Sequence, residues 1–346
     1  MKPPEFKTTH SIGFSSVAKG IALRILDLSG FEAIVGPPTA LWAQKKQKQW
    51  RNQHLGLTLE TLAARCGDQL TDAEDQPLFI FSAGWRSGST LLQRLINSNE
   101  TYLIWGEPYA RSELIVRLAD SLRPISLSWP PDGDLAQPTV EWDPTDRWTA
   151  NLHPPLVSLI ESHRAFFRTL FASPLDATRS GNWGFKEVRL SAEYALYLRF
   201  LFPKAKFIFL VRNPVNAFVS YKVWRSWYRR WPDKQVRTAR SYARVWRELA
   251  VSFWQMHDAV DGLLLRYEDL IPRSPAISSL EAFLDSPVDQ SVLERRIGGS
   301  TSQSQPLTRF ERFALQSQLG GVERRFGYSN GCSEPGSRWQ QRTPHL

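Results

Sequence analysis

The chain has 346 residues, 42% of them hydrophobic and 22% charged, with a net charge of +9. Those values are typical of a soluble globular protein, and no run nears the eighteen or more apolar residues of a membrane span. Two cysteines, Cys66 and Cys332, exclude a disulfide framework and a four-thiolate zinc site, and point to a reducing, cytoplasmic setting.

The first residues, Met1-Lys2-Pro3-Pro4-Glu5, do not resemble a secretory signal. Residues 1–75 read as a helical N-terminal extension, with Val17, Ile21, Ile25 and Leu28 at helical spacing and a basic polar stretch over Gln44–Gln49. From 76 to about 330 the pattern predicts one α/β domain, followed by a tail over 331–346. Leu78–Phe81 is the first strand and Ser89–Asn97 the first helix. A long Trp- and Pro-rich interval, about 109–180, is too long for a bare loop and is expected to form a helical insertion covering the ligand edge of the sheet. Trp183–Lys186 reads as a short strand, and Ser191 as the cap of a helix that runs to Phe202 before Pro203. Phe207–Val211 is a continuous apolar run, as in a strand buried on both faces. Asn213-Pro214 opens a helix toward Arg229, a further helix spans Thr238–Ala259, and Leu263–Tyr267 is another strand. The Gly/Ser-rich stretch 298–304 reads as a mobile loop. Alternating strands and helices predict a P-loop NTPase-like parallel sheet with helices on both faces.

The positive charge concentrates locally at Arg225, Arg229, Arg230, Arg237, Arg240, Arg244 and Arg247. This is either a solvated helix surface or an attractor of anions, and charge alone does not decide between them.

The stretch Phe81-Ser82-Ala83-Gly84-Trp85-Arg86-Ser87-Gly88-Ser89-Thr90 joins the first strand to the first helix. A glycine turn opening a helix gathers free amides and the positive end of the helix dipole, which suits an anion. The ATP-type loop carries a lysine directly after its last glycine; here Ser89 follows Gly88. A nucleotide kinase would need that lysine and a magnesium carboxylate, and neither is evident. A nucleic-acid binder using the basic surface would show steep salt dependence and no small-nucleotide preference.

Three stretches in order resemble the sulfotransferases that use 3′-phosphoadenosine-5′-phosphosulfate (PAPS): Trp85–Thr90, then Phe209-Leu210-Val211-Arg212-Asn213-Pro214 with Ser220 eight residues after Arg212, then Tyr267-Glu268-Asp269-Leu270 with a Phe-Leu helix at Leu280–Leu284. The resemblance spans roughly residues 77 to 328. It implies that Arg86, Ser87, Gly88, Ser89 and Thr90 hold the 5′-phosphosulfate and that Arg212 and Ser220 hold the 3′-phosphate, with no metal required. The Tyr-Glu-Asp-Leu run is read as structural.

Glu107, in Trp105-Gly106-Glu107-Pro108-Tyr109, is similar to the base of the bacterial and tyrosylprotein-type glutamate branch. Lys186, in Gly184-Phe185-Lys186-Glu187, resembles the lysine that assists transfer there, and Arg86 completes the implied catalytic set. The histidine context of the steroid and phenol branch is absent; His153 and His163 are expected to be packing or surface residues, with His153 also a candidate lining residue. Trp85, Trp105 and Tyr109 are the other candidates to line the acceptor site. Arg295, Arg296 and Gly298-Gly299 match a basic closing loop loosely. The expected activity is sulfuryl transfer from PAPS to a hydroxyl or amine, giving 3′,5′-adenosine bisphosphate (PAP), with a small metabolite or natural product as acceptor and carbohydrate or peptide as alternatives. No nucleic-acid partner is expected.

Overall fold

The computed structural model describes residues 54–136, 145, 149–176, 181–228, 236–295 and 306–328, without the side chains of Arg111 and 224–228. The expected helix at Val17–Leu28, the stretch Gln44–Gln49, the loop 298–304 and the tail 331–346 lie outside these residues. The first described helix, α1 (Leu55–Cys66), buries Leu55, Leu59 and Leu62 in the main core. It therefore packs with the domain although it precedes residue 75.

Five strands form one parallel sheet: β1 (Leu78–Ser82), β2 (Tyr102–Trp105), β3 (Asn182–Glu187), β4 (Lys206–Val211) and β5 (Leu263–Arg266), in the order β2-β3-β1-β4-β5. Residues 79–81 are all fully buried, as are 207–211, so the central strands face protein on both sides. That explains why they read as unbroken apolar runs. The alternation of side chains separates two chemistries. Phe79, Phe81, Phe207 and Phe209 point to one face with Phe185, whereas Leu78, Ile80, Ile208 and Leu210 point to the other. The phenylalanines interlock, with ring centroids 4.7 Å apart for Phe79–Phe185 and 5.6 Å for Phe81–Phe209. Each such ring contributes roughly 1.5–3 kcal/mol on burial.

On the aliphatic face lie α2 (Ser89–Asn97), through Leu92, Leu95 and Ile96, and a later helix over Pro275–Leu284, through Ile277, Leu280 and Leu284. The aromatic face takes α1, α3 (Leu114–Leu122), α4 (Leu156–Phe167), α5 (Glu193–Leu201), α6 (Pro214–Tyr228) and α7 (Ala239–Met256). Pro275–Leu284 is α8, and α9 (Arg309–Leu319) packs along α7. The expected insertion is thus partly built of α3 and α4, the latter extended by a π-helical turn over Arg168–Ala172.

Two local expectations differ in detail. Ser191 does not cap α5 through its side chain: Ala192 occupies the N-cap, and the first turn is held by Ser191 C=O accepting from Tyr194 N–H. The strand expected between the first helix and Glu107 is β2; its four residues, alternately buried and half-buried at a sheet edge, leave too short a pattern for the sequence to give it bounds.

Because β2 and β3 lie to one side of β1 and β4 and β5 to the other, the chain reverses direction across the sheet between β1 and β4. That switch point, outside the carboxyl ends of the strands, is the usual ligand position in doubly wound sheets.

Candidate active site

The loop leaving β1 is fixed from below and above. The hydroxyls of Ser82 and Ser87 share a hydrogen bond, and Ser87 Oγ also donates to Gly84 C=O at 2.8 Å. Tyr242 on α7 donates its hydroxyl to Trp85 C=O at 3.0 Å. Arg86 has φ 66° and Gly88 φ 92°, two left-handed residues that turn the chain into α2. At Gly88 only glycine fits: a Cβ there would stand 2.0 Å from Cδ2 of Tyr267. The amides of Gly88, Ser89 and Thr90 meet no acceptor among the described residues, so the helix opens on unsatisfied donors.

Arg212, the first residue after β4, stands beside this opening. Its Nη1 donates to Arg86 C=O at 2.7 Å, and its guanidinium lies over the Tyr267 ring, 4.3 Å from the centroid. The buried Nε of Arg212 has no partner among the described residues. Arg86 Nε donates to Ser220 Oγ at 2.9 Å. Three residues quoted from separate motifs, Arg86, Arg212 and Ser220, therefore meet at one place. The Arg212–Asn213 turn is itself braced. Trp246 Nε1 donates to Arg212 C=O at 3.0 Å, Glu268 accepts from Asn213 N–H at 2.9 Å, and Tyr328 holds the other Glu268 oxygen at 2.8 Å. Asn213 caps α6, its Oδ1 accepting from the amides of Val215 and Asn216, as its position before Pro214 predicts.

Further along the same sheet edge, Lys186 Nζ donates to Glu107 Oε1 at 2.8 Å. Lys186 comes from β3, beside Ile80 of β1, and Glu107 lies two residues beyond β2. Lys186 is only 5% exposed, whereas Glu107 is half-buried. The lysine thus keeps its charge inside by pairing and does not face water from a strand edge. The next residue, Glu187, is 2% exposed and grips Arg189 with both oxygens at 2.9 Å. Burial pushes the Glu187 carboxyl up, opposed by Arg189.

The lining candidates separate. Trp85 belongs to the core, 3% exposed and packed on Tyr221 at 6.1 Å. Trp105 is half-buried, with its indole N–H on Phe171 C=O at 3.0 Å. Tyr109 is 67% exposed, at φ 45°. His153 pairs through its backbone with Asp134 and Ala136, and its ring lies 6.1 Å from Trp129; none of these contacts joins it to Glu107 or Lys186. His163 is a packing residue bonded to the Tyr197 hydroxyl at 2.7 Å. Arg295 lines a cleft of about 500 Å³ beside α2, with Gln93, Arg94, Asn97 and Asp289. Arg296 and Gly298-Gly299 lie outside the described residues. No cluster of three or more potential metal ligands occurs among the described residues.

Four residues in this architecture were not singled out as contributors in the sequence. Tyr267 and Glu268 fall in the run read as structural, and they brace the two halves of the site. Tyr242 and Trp246 sit four residues apart on the buried face of α7, so each looked like core. A polar atom on an otherwise apolar helix face was the available signal.

A strand–loop–helix turn that opens on free amides without the P-loop lysine, joined by a second arginine from the neighbouring strand, places the chain in the P-loop-like α/β class. The Sulfotransferase family model matches residues 77–290, well over half of the chain, and the protein belongs to that family. No curated protein sequence matches the chain. Among solved structures, it is similar to the sulfotransferase domain from the curacin biosynthetic pathway, at 17% identity and TM-score 0.43 over 75% of this chain and 99% of that one. The sulfotransferase domain of the Synechococcus PCC 7002 olefin synthase gives 17% identity and TM-score 0.42, covering 76% and 99%. A Mycobacterium avium sulfotransferase gives 15% identity and TM-score 0.41, covering 82% and 85%.

Proposed function

We propose that this sulfotransferase takes its sulfuryl group from PAPS and passes it to a hydroxyl or amine of a small metabolite or natural product. The observation that carries the reading is the convergence of Arg86, Arg212 and Ser220 on a helix opening with free amides. The donor set fits the cofactor. Amides of Gly88 to Thr90, with the Ser89 and Thr90 hydroxyls, suit a 5′-phosphosulfate, while Ser87, fully buried with its hydroxyl on Gly84 C=O and Ser82, shapes the loop instead; a guanidinium with an unpartnered buried Nε and a hydroxyl suit a 3′-phosphate dianion. PAPS supplies the sulfuryl group, which passes to the acceptor by in-line displacement with PAP as leaving group.

The chain's own residues have three tasks. Glu107, half-buried at the strand edge, takes the proton from the acceptor oxygen or nitrogen. Lys186, held beside it, and Arg86, in the loop, offset negative charge that builds on the sulfuryl oxygens and the leaving phosphate. The small-molecule acceptor is supported by the expected covering insertion, with the aromatic Trp105 and Tyr109 each two residues from Glu107 in the chain. The reading includes a cytoplasmic, bacterial setting, supported by the low cysteine count and the glutamate context.

A thermal-shift titration tests the cofactor. PAP should raise the melting temperature without metal, since a ligand that binds only the folded state stabilises it by mass action. A rise only with ATP and magnesium would replace this reading with a kinase.

A further inference from the structure

The arginines of this chain divide into two populations. Arg65, Arg117, Arg123, Arg164 and Arg168 each have a carboxylate within 3.1 Å. On α7 and α9 the pattern is different. Arg240, Arg244, Arg309 and Arg312 are exposed and have no carboxylate partner among the described residues. Arg247 is also exposed, and among the described residues its side chain donates to a carbonyl, that of Gln318 on α9, at 3.4 Å.

Spacing of four and three residues places Arg240, Arg244 and Arg247 on one stripe of α7. The bond from Arg247 to Gln318 turns that stripe toward α9. Along the two helices the only carboxylates are Glu248 and Glu311, and Glu311 is taken by Lys222 at 2.8 Å. Directly after Arg309 and Arg312 of α9 stand Phe310 and Phe313, one turn apart, 87% and 71% exposed. An unpaired basic stripe beside two bare aromatic rings is unfavourable in water on both counts.

We propose that the α7–α9 face docks on a bilayer carrying anionic headgroups, with the arginines on phosphates and the two phenylalanines sunk into the interfacial layer. Charge complementarity selects the anion, and the rings select lipid. They stand on an outward-facing helix surface. A rigid protein partner would need a hole for each ring, and a duplex offers the arginines phosphates but gives the rings nothing apolar. A bilayer yields to both. No described helix is long and apolar enough to cross a membrane, so this is attachment at the surface. The inference is independent of the PAPS reading.

The experiment is co-sedimentation of the full-length chain with vesicles of phosphatidylcholine alone or mixed with phosphatidylglycerol, at low and high salt. The expected result is pelleting with the mixed vesicles only, weakened by salt. Replacing Arg240, Arg244 and Arg247 together by glutamine, or Phe310 and Phe313 together by serine, should each lower partitioning by at least about tenfold at an unchanged melting temperature. A chain that stays in the supernatant, or that binds neutral vesicles equally well, overturns the proposal. So does binding by either variant that equals that of the unmodified chain. Binding of a duplex oligonucleotide but not of vesicles, lost with the arginine variant, would assign the face to nucleic acid instead.

Discussion

Arg86 Nε donates to Ser220 Oγ at 2.9 Å while Arg86 C=O accepts from Arg212 Nη1 at 2.7 Å, so one loop residue is tied to both parts of the neighbouring strand–helix unit. These ties set how ligand binding should fail. Ser220→Ala removes one hydroxyl and should weaken PAP binding roughly tenfold. Arg212→Ala removes the guanidinium and the support of the Arg86 carbonyl, and should cost on the order of 100-fold, given about 1.5–3 kcal/mol per hydrogen bond to a charged group. Calorimetric titration with PAP checks both, and unaltered dissociation constants would remove these residues from the nucleotide site.

The Glu107–Lys186 pair should respond in turnover and not in nucleotide affinity. Glu107→Gln keeps the shape and loses the base, so turnover with PAPS and an accepted acceptor should fall by about 10²- to 10⁴-fold. PAP binding should stay within about twofold, since no phosphate contact is assigned to Glu107. Equal losses of binding and turnover would mean that the pair serves the structure of the sheet edge.

The residues that meet at this candidate site were legible because each sits at a boundary that sequence marks strongly. Gly88 and Ser89 end a loop and open α2, and Arg212 closes the apolar run of β4. Asn213-Pro214 announced its own cap. What sequence could not supply was the order of the strands. Insertion of β3 between β2 and β1 is what brings Lys186 to Glu107, 79 positions earlier in the chain. Nor could periodicity distinguish Trp246, whose indole N–H reaches Arg212, from its purely apolar neighbours on α7. Trp85 shows the converse: proximity to the loop in sequence suggested a lining residue, but its side chain lies in the core.

Gly88 offers a sharper test of the loop. Its φ of 92° and the Tyr267 ring over its Cα leave no room for a methyl group. Gly88→Ala should lower the melting temperature by several degrees, at about 2–4 °C per kcal/mol for a domain of this size, and abolish the PAP-induced shift. Adding Tyr267→Ala removes the clash but not the positive φ. The double variant should therefore recover only part of the stability and little of the binding, because Arg212 then loses the ring beneath it.

Glu268 should act through the position of Arg212. Its two oxygens take Asn213 N–H and the Tyr328 hydroxyl. Glu268→Gln substitutes an NH₂ for one acceptor and sets it against a donor. The expected result is weaker PAP binding, about three- to tenfold, with turnover at saturating PAPS retained. A loss confined to melting temperature would make Glu268 a structural brace alone.

His163 gives stability a defined pH dependence. Its ring is buried against Tyr197, and burial lowers its pKa below the usual 6.5. In the unfolded chain the imidazole takes up a proton near that ordinary value, but in the folded chain it resists. Between the two values the unfolded state therefore binds more protons. Stability is fully present above about pH 6.5 and declines as the pH falls toward the lowered folded value, by at most about 1.4 kcal/mol per pH unit for one group. His163→Gln keeps a polar partner for the Tyr197 hydroxyl and removes the titration. Its melting temperature should be lower at pH 7.5, and it should fall less steeply than that of the unmodified chain between pH 6.5 and 5.5. Parallel curves for the two proteins would show that carboxylates elsewhere carry the whole acid slope.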